Sequence, residues 1–126
     1  MNLEEINILS TIVEDVYGTT FESYAGSLKC VTKITGPDRM SITCMVVVNL
    51  GNRNQMQQAA RDNENSLKKI CKDRIKNIKK DFKDKAGRAL KTKEVSSDTN
   101  VELMNYHAYS EKGTCLIRQI HVFEIS

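Results

Sequence analysis

The amino-acid sequence predicts a two-layer α+β domain, and three observations lead to this fold class. The chain has 126 residues, of which 40% are hydrophobic and 28% are charged, as in a soluble globular domain. Apolar residues recur at steps of three and four in two segments, as in amphipathic helices. In four other segments they alternate with polar residues, as in strands. We therefore expect a single domain, residues 1–126, with element order αββαββ and a four-stranded, mostly antiparallel sheet that has its helices on one face.

The first element is a short N-terminal helix, which the apolar spacing extends over about 15 residues. Asn2 and Glu5 have the spacing of a capping box, and apolar residues follow at helical intervals up to Val16. Gly18 ends the pattern. Residues 19–26 have no clear period, so a connecting loop is predicted there.

A β-hairpin is predicted over residues 27–50. Apolar and polar residues alternate on either side of a turn centred on Pro37. Folding back about this turn places Cys30 opposite Cys44 on the buried face. The second strand is apolar on both faces, which favours a central position in the sheet.

The longest predicted element is a basic amphipathic helix over residues 54–92. Asn54 and Gln57 have capping-box spacing, and Gly87 marks either an early end or a bend, since glycine costs about 1 kcal/mol in a helix interior. The mostly apolar stripe of this helix consists of Met56, Ala60, Asn63, Leu67, Cys71, Ile75, Ile78, Phe82, Ala86 and Ala89. Uninterrupted, the helix measures roughly 55–60 Å, so we expect it to project from the domain or to pack on a partner.

The C-terminal part predicts a second hairpin. Residues 94–99 are polar and are expected to form a loop. Two strands, 101–109 and 114–125, then flank a turn at residues 110–113 that contains a glycine. The last strand has apolar residues at both odd and even positions, which point to opposite faces of the sheet. It is therefore either covered on both faces or contains a bulge.

Both histidines, His107 and His121, lie in this hairpin. Its expected register brings His121 near Glu102. A packing role or a cross-strand ion pair is favoured over acid–base catalysis, because no nucleophile or glycine-rich loop is placed to work with these groups.

The four cysteines are Cys30, Cys44, Cys71 and Cys115, and none belongs to a CxxC pair. Their spacing argues against a zinc site. Each lies in a patterned strand or helix, where a free thiol packs as a small hydrophobic group. A disulfide is the alternative.

Positive charge is concentrated in the long helix. Between Arg61 and Lys93, thirteen Lys or Arg residues stand against five Asp or Glu residues, a local net charge of +8, and the remainder of the chain carries −5. This asymmetry suits an anionic partner, or a head-to-tail contact in which the basic helix of one copy meets the acidic body of another. The residues predicted for such a contact are Lys68, Lys69, Lys72, Lys76, Lys79, Lys80, Lys83 and Arg88.

Sequence-independent nucleic-acid binding requires a row of cations on one face, and Arg74, Lys85, Lys91 and Lys93 add to those already named. Acids are interspersed among these cations, and the one aromatic residue, Phe82, belongs to the apolar stripe, so no stacking platform for bases accompanies the charge. A solvated helix face, a protein contact and a nucleic-acid contact remain as three interpretations.

Several function classes have no support in the sequence. The glycines occur singly, which argues against a phosphate-binding loop, and no catalytic motif is present. We therefore expect neither an enzyme nor a cofactor. No apolar run approaches the roughly 20 residues of a membrane span, so no membrane partner is expected. The first 17 residues contain four acids and no base, unlike a signal peptide, and synthesis in the cytoplasm is expected.

Four segments together resemble small virion proteins of contractile-tailed, T4-like phages. They are VEDVYG (13–18), FKDKAGRALK (82–91), VEL (101–103) and RQIHVFE (118–124). The resemblance implies a non-enzymatic subunit of the capsid, neck or tail that is incorporated in a virion and contacts itself or other virion proteins. It assigns a role to no individual residue. We therefore expect a structural or assembly protein, with nucleic-acid binding through the basic helix face as the alternative.

Overall fold

A computed structural model of the chain describes residues 1–22, 28–106 and 113–126. It contains a layer of helices and a five-stranded antiparallel sheet, which confirms the α+β class. The helical elements are α1 (Leu3–Ile12), a π-helical turn (Val13–Tyr17), a 3-10 turn (Arg53–Gln55) and α2 (Met56–Ala86). The strands are β1 (Thr19–Glu22), β2 (Leu28–Gly36), β3 (Arg39–Leu50), β4 (Thr92–Tyr106) and β5 (Gly113–Ile125). The predicted four strands and the order αββαββ are therefore corrected by one additional strand.

The strands lie in the order β1-β2-β3-β5-β4. As predicted, β3 is central, and Cys30 lies directly opposite Cys44. The additional strand, β1, comes from the predicted loop at residues 19–26. Its threonines and phenylalanine are good strand formers, and the edge of β2 offers unpaired backbone groups to them. The remainder of that predicted loop, residues 23–26, lies outside the described residues.

The N-terminal helix begins as predicted but buries a different face near its end. The Asn2 side chain accepts a hydrogen bond from the Glu5 backbone, and the Glu5 side chain accepts one from the Asn2 backbone, which confirms the capping box. In the π-helical turn, Tyr17 is buried whereas Val16 is 50% exposed. The wider π turn moves the buried side by one residue relative to a 3.6-residue period.

Gly87 ends the long helix. Its φ of 77° is left-handed, and its backbone N–H donates to the Lys83 carbonyl at 3.0 Å. The expectation of an early end is confirmed, and the predicted range 54–92 is corrected to 31 residues, about 46 Å.

The start of the long helix differs from the predicted capping box. Gln55 is the N-cap residue and makes no side-chain cap hydrogen bond. The Asn52 side chain instead accepts from the Asn54 backbone at 2.9 Å, and Gln55 Oε1 accepts from the Asn52 backbone at 3.2 Å. The prediction for Asn54 and Gln57 was wrong because a 3-10 turn precedes the α-helix.

The helix α2 lies along the sheet and does not project from the domain. Its buried residues run from Ala59 to Phe82, and it packs on β3, β4 and β5. These strands have 12, 15 and 13 residues. At about 3.3 Å per residue they extend for roughly 40–50 Å, which is as long as the helix. The core between the layers includes the fully buried side chains of Leu9, Ile12, Met40, Ile42, Leu67, Ile78, Phe82, Leu90 and Ile117.

The polar segment 94–99 belongs to β4 and is not a loop. Gln119 of β5 is fully buried and faces this segment. Its amide nitrogen donates to Ser97 Oγ at 3.1 Å, and its oxygen accepts from Thr99 Oγ1 at 2.7 Å. The polar residues lie in a strand because a buried amide needs hydrogen-bond partners.

The second hairpin is confirmed by the antiparallel pairing of β4 with β5. Its register shifts at two places, between Glu94 and Ser96 and between Leu103 and Asn105. Such bulges twist an edge strand and hinder its pairing with other chains. The predicted turn up to residue 112 lies outside the described residues.

We predict that Gly87→Ala lowers the free energy of unfolding by about 1 kcal/mol, because alanine is strained at a left-handed φ. A Cβ added at this position would have no atom within 4 Å, so backbone strain is the sole cause. Gly36→Ala is the matched control, since its added Cβ meets only Asp38 Oδ1 at 3.9 Å. Urea denaturation of both variants measures the difference, and equal effects would contradict the assigned cap.

Candidate interaction surfaces

Six of the predicted contact residues form a row on the solvent side of α2, which we call the lysine row. They are Lys69, Lys72, Lys76, Lys79, Lys80 and Lys83, and all six are exposed. Successive residues of an α-helix are about 100° apart when the helix is viewed along its axis, and these six lysines lie within an arc of about 100°. The row is about 21 Å long. Between residues 69 and 83, Asp73 borders this arc and no acid lies inside it.

The other two predicted contact residues make intramolecular ion pairs. Lys68 is half-buried, and its Nζ lies 3.0 Å from Glu64, four residues earlier. Arg88 pairs with Glu5, and its guanidinium lies 5.4 Å from the centre of the Phe82 ring. Arg88, followed by the Asn2 backbone, lowers the pKa of Glu5. Arg88 therefore fastens the start of α1 to the end of α2.

Arg74 likewise does not contribute to the positive charge on the solvent side of α2. Its side chain is buried, donates to Thr20 Oγ1 at 2.6 Å and lies 5.1 Å from the centre of the Tyr17 ring. The Tyr17 hydroxyl donates to Asp81 at 2.6 Å. Burial and this carboxylate raise the pKa of Tyr17 to about 12. Arg74 and Asp81 thus tie α2 to β1 and to the π-helical turn.

A second surface lies on the side of the sheet away from the helices. The strand register aligns six apolar side chains there, which we call the open face: Val31, Met45, Val47, Leu116, Ile120 and Val122. Val47 is 36% exposed, and the other five are half-buried. None of the described helices and strands packs over them. The sequence signal for this surface was the apolar content of both faces of β3 and β5.

The open face has rims of opposite charge. On the β2 side, Lys33 is exposed beside Ser41 of β3. On the β4 side, Asp98 is exposed beside Ile120 of β5. The strand order separates these rims by β3 and β5. Thr43 and Arg118 lie on the same face among the six apolar residues, and Arg118 pairs with Glu102. A partner therefore meets a mostly apolar centre, with one paired cation in it, between a basic and an acidic edge.

His121 lies beside Glu94, so the predicted proximity to Glu102 was wrong. Its Nδ1 hydrogen-bonds to Glu94, whereas Glu102 accepts from Arg118 at 3.0 Å. The two bulges of β4 and the length of the turn set a register that sequence reading did not anticipate. Cys71 first, and then Glu94, raise the pKa of His121, although burial opposes them. The other histidine, His107, lies outside the described residues.

The described residues contain no group of three or more His, Cys, Asp or Glu side chains arranged to hold a metal ion. In the same part of the chain, neither helix combines the length and apolarity of a membrane span. No protein-family model, curated protein or solved structure matches this chain. The lysine row and the open face are therefore interpreted from their own geometry.

We predict that Arg74→Met lowers the free energy of unfolding by about 2 kcal/mol, because it removes a buried charged hydrogen bond and a cation–π contact. The matched control is Lys76→Met, two residues along the same helix and exposed, which should change it by less than about 0.5 kcal/mol. Urea denaturation measures both variants. Equal losses would show that Arg74 contributes no more to the fold than a solvent-facing lysine.

Proposed function

We propose that this protein is a non-enzymatic structural or assembly protein that associates through the open face of its sheet. The observation that carries the proposal is a group of six apolar side chains on three adjacent strands, interrupted by Thr43 and Arg118, with none of the described elements packed over them. Covering these side chains with another surface lowers the free energy, because it removes apolar area from water. Contiguous exposed apolar patches are typical of protein contacts.

The partner that best fits this surface is a second copy of the chain. A twofold axis parallel to the strands places the two open faces against each other. The strand order of the partner is then reversed, so β2 of one copy lies over β4 of the other. The Lys33 rim of one copy then faces the Asp98 rim of its partner, and the apolar centres meet. Paired sheets pack about 10 Å apart, and a twofold contact of this kind closes into a dimer.

The resemblance to small virion proteins of T4-like phages supports an assembly role. We further propose that the dimer contacts other virion proteins in the capsid, neck or tail. Mass spectrometry of purified particles tests this part separately from self-association. Absence of the chain from particles, with the dimer intact, would restrict the proposal to self-association.

We predict that Val47→Lys and Leu116→Lys, which alter cross-strand neighbours of the open face, each weaken self-association by about tenfold or more. Buried lysine charge and lost apolar contact are the cause. Sedimentation equilibrium over a range of protein concentrations, at low and high salt, measures the dissociation constant.

Lys76→Glu and Lys80→Glu on the helix side are the controls for this experiment and should leave the dissociation constant unchanged. A wild-type protein that is monomeric at every concentration and salt would overturn the proposal. Dissociation by the helix variants but not by the sheet variants would favour the head-to-tail contact instead.

A second function, sequence-independent nucleic-acid binding, is favoured by the lysine row. Double-stranded DNA carries one charge per about 1.7 Å with both strands counted, so a length of duplex equal to the row, about 21 Å, carries roughly 12 phosphates. The inward positions of Arg74 and Asp81 leave this row as the dominant charge on the outer side of α2 between residues 69 and 83. The lysine row and the open face lie on opposite sides of the molecule, so the two functions are compatible.

If all six lysines contact phosphates, the logarithm of the binding constant should fall with the logarithm of salt concentration with a slope of about −5. Fluorescence anisotropy with a labelled duplex measures this slope when the salt concentration is varied from about 50 mM to about 200 mM. Combined charge reversal at Lys76, Lys79, Lys80 and Lys83 should abolish binding. Lys91→Glu, which alters an exposed lysine beyond α2, is the control. Binding that ignores the combined reversal would exclude this function.

A further inference from the structure

Three cysteines from different elements meet in the core. Cys30 lies on β2, Cys44 on β3 and Cys71 on α2, and all three are fully buried. The Cys44 sulfur lies 2.8 Å from that of Cys30 and 3.2 Å from that of Cys71. Cys115 is also buried, but it takes no part in these sulfur contacts of the described residues. We call Cys30, Cys44 and Cys71 the thiol cluster.

The spacing of the thiol cluster suits disulfide formation better than zinc binding. Cys30 and Cys44 are directly opposite in an antiparallel pair, where Cα atoms are about 4.5–5.5 Å apart, and a disulfide spans about 4.4–6.8 Å. Two thiolates on a tetrahedral zinc with bonds of about 2.3 Å lie roughly 3.8 Å apart. The sulfurs here are closer than that.

One member of the cluster lies beside a basic group. His121 Nδ1 bonds to Glu94, whereas Nε2 is buried and makes no hydrogen bond to the described residues. Cys44 first, and then His121, lower the pKa of Cys71 to about 6. The contacts with the Cys30 and Cys71 sulfurs, and then burial, raise the pKa of the Cys44 thiol, so it stays protonated. Cys44 first, and then Arg74, also lower the pKa of Cys30, although burial opposes them. Cys71 is assigned as the nucleophile because His121 lies beside it and can give a proton to a leaving hydroxide.

We propose that the thiol cluster is a peroxide-sensitive oxidation site in which Cys71 reacts first and Cys44 then closes a disulfide with it. The Cys71 thiolate attacks one oxygen of hydrogen peroxide, so an S–O bond forms and the O–O bond breaks. The departing hydroxide takes a proton from the His121 imidazolium and leaves as water. The product is a sulfenic acid on Cys71.

In the second step the Cys44 sulfur attacks the Cys71 sulfur. An S–S bond forms, the S–O bond breaks, and the hydroxide leaves as water with the proton of the Cys44 thiol. Two thiols have then lost two electrons to one peroxide, and two waters have formed. The disulfide joins the sheet to α2.

Thiol exchange then moves the disulfide to Cys30. The Cys30 sulfur attacks Cys44, a new S–S bond forms, the Cys44–Cys71 bond breaks, and the proton of Cys30 passes to the departing Cys71 sulfur. Cys71 is the better leaving group because the thiol with the lower pKa leaves faster. Because Cys30 and Cys44 are directly opposite and their sulfurs are closer together than those of Cys44 and Cys71, the proposed final state is a Cys30–Cys44 bridge between β2 and β3.

The test uses the reduced full chain, kept with a chelator and then treated with hydrogen peroxide. Maleimide labelling after denaturation, read by intact mass, should find two free thiols in place of the four of the reduced protein. Peptide mapping should locate the bridge at Cys30 and Cys44. Cys115→Ser, the matched control, should form the same bridge and retain one free thiol.

Single variants keep the proposal testable if one of them folds poorly. Cys30→Ser should stop at a Cys44–Cys71 bridge, and Cys71→Ser should oxidise at least tenfold more slowly. Four free thiols in the treated wild type, a bridge that contains Cys115, or an unchanged rate in Cys71→Ser would each overturn the proposal. Its failure would leave the open face and its dimer test unaffected, since the thiol cluster lies on the other side of the sheet.

Discussion

The match in length between α2 and the long strands is the constraint on which the rest of the structure depends. A helix of 31 residues is about 46 Å long, and the long strands β3, β4 and β5 extend over a similar length beneath it. This match keeps the helix within the domain. It also requires β4 to begin soon after the left-handed cap at Gly87, so a segment that reads as a loop becomes a strand.

Extending β4 through polar sequence is possible because the interior contains polar groups that need partners. Gln119 and His121 are buried on β5, and the polar side chains of β4 hydrogen-bond to them. Arg74 is satisfied in the same way by Thr20 and the Tyr17 ring. Each buried donor or acceptor left without a partner would cost on the order of 1–3 kcal/mol, so these pairs define the register as much as apolar packing does.

A two-layer fold with one long helix leaves the molecule with two different outer sides. On one side α2 presents the lysine row, after Arg74, Asp81 and Arg88 have turned to intramolecular partners. On the other side the sheet presents apolar residues between rims of opposite charge. The asymmetry of charge along the sequence thereby becomes an asymmetry in space. Association through the sheet leaves the lysines free to meet a separate anionic partner.

The sequence by itself determined the α+β class, the Asn2 cap, the first hairpin with Cys30 opposite Cys44, Gly87 as an end or a bend of the long helix, and the row of lysines on its outer face. Each of these follows from periodicity or from a local backbone preference over a few residues. Only the tertiary structure decided that Thr19–Glu22 is a strand, that residues 94–99 belong to β4, and that Arg74 is buried. Those outcomes depend on partners that lie far away in the chain, because an edge strand or a buried polar side chain is stabilised by what faces it and not by its neighbours in sequence.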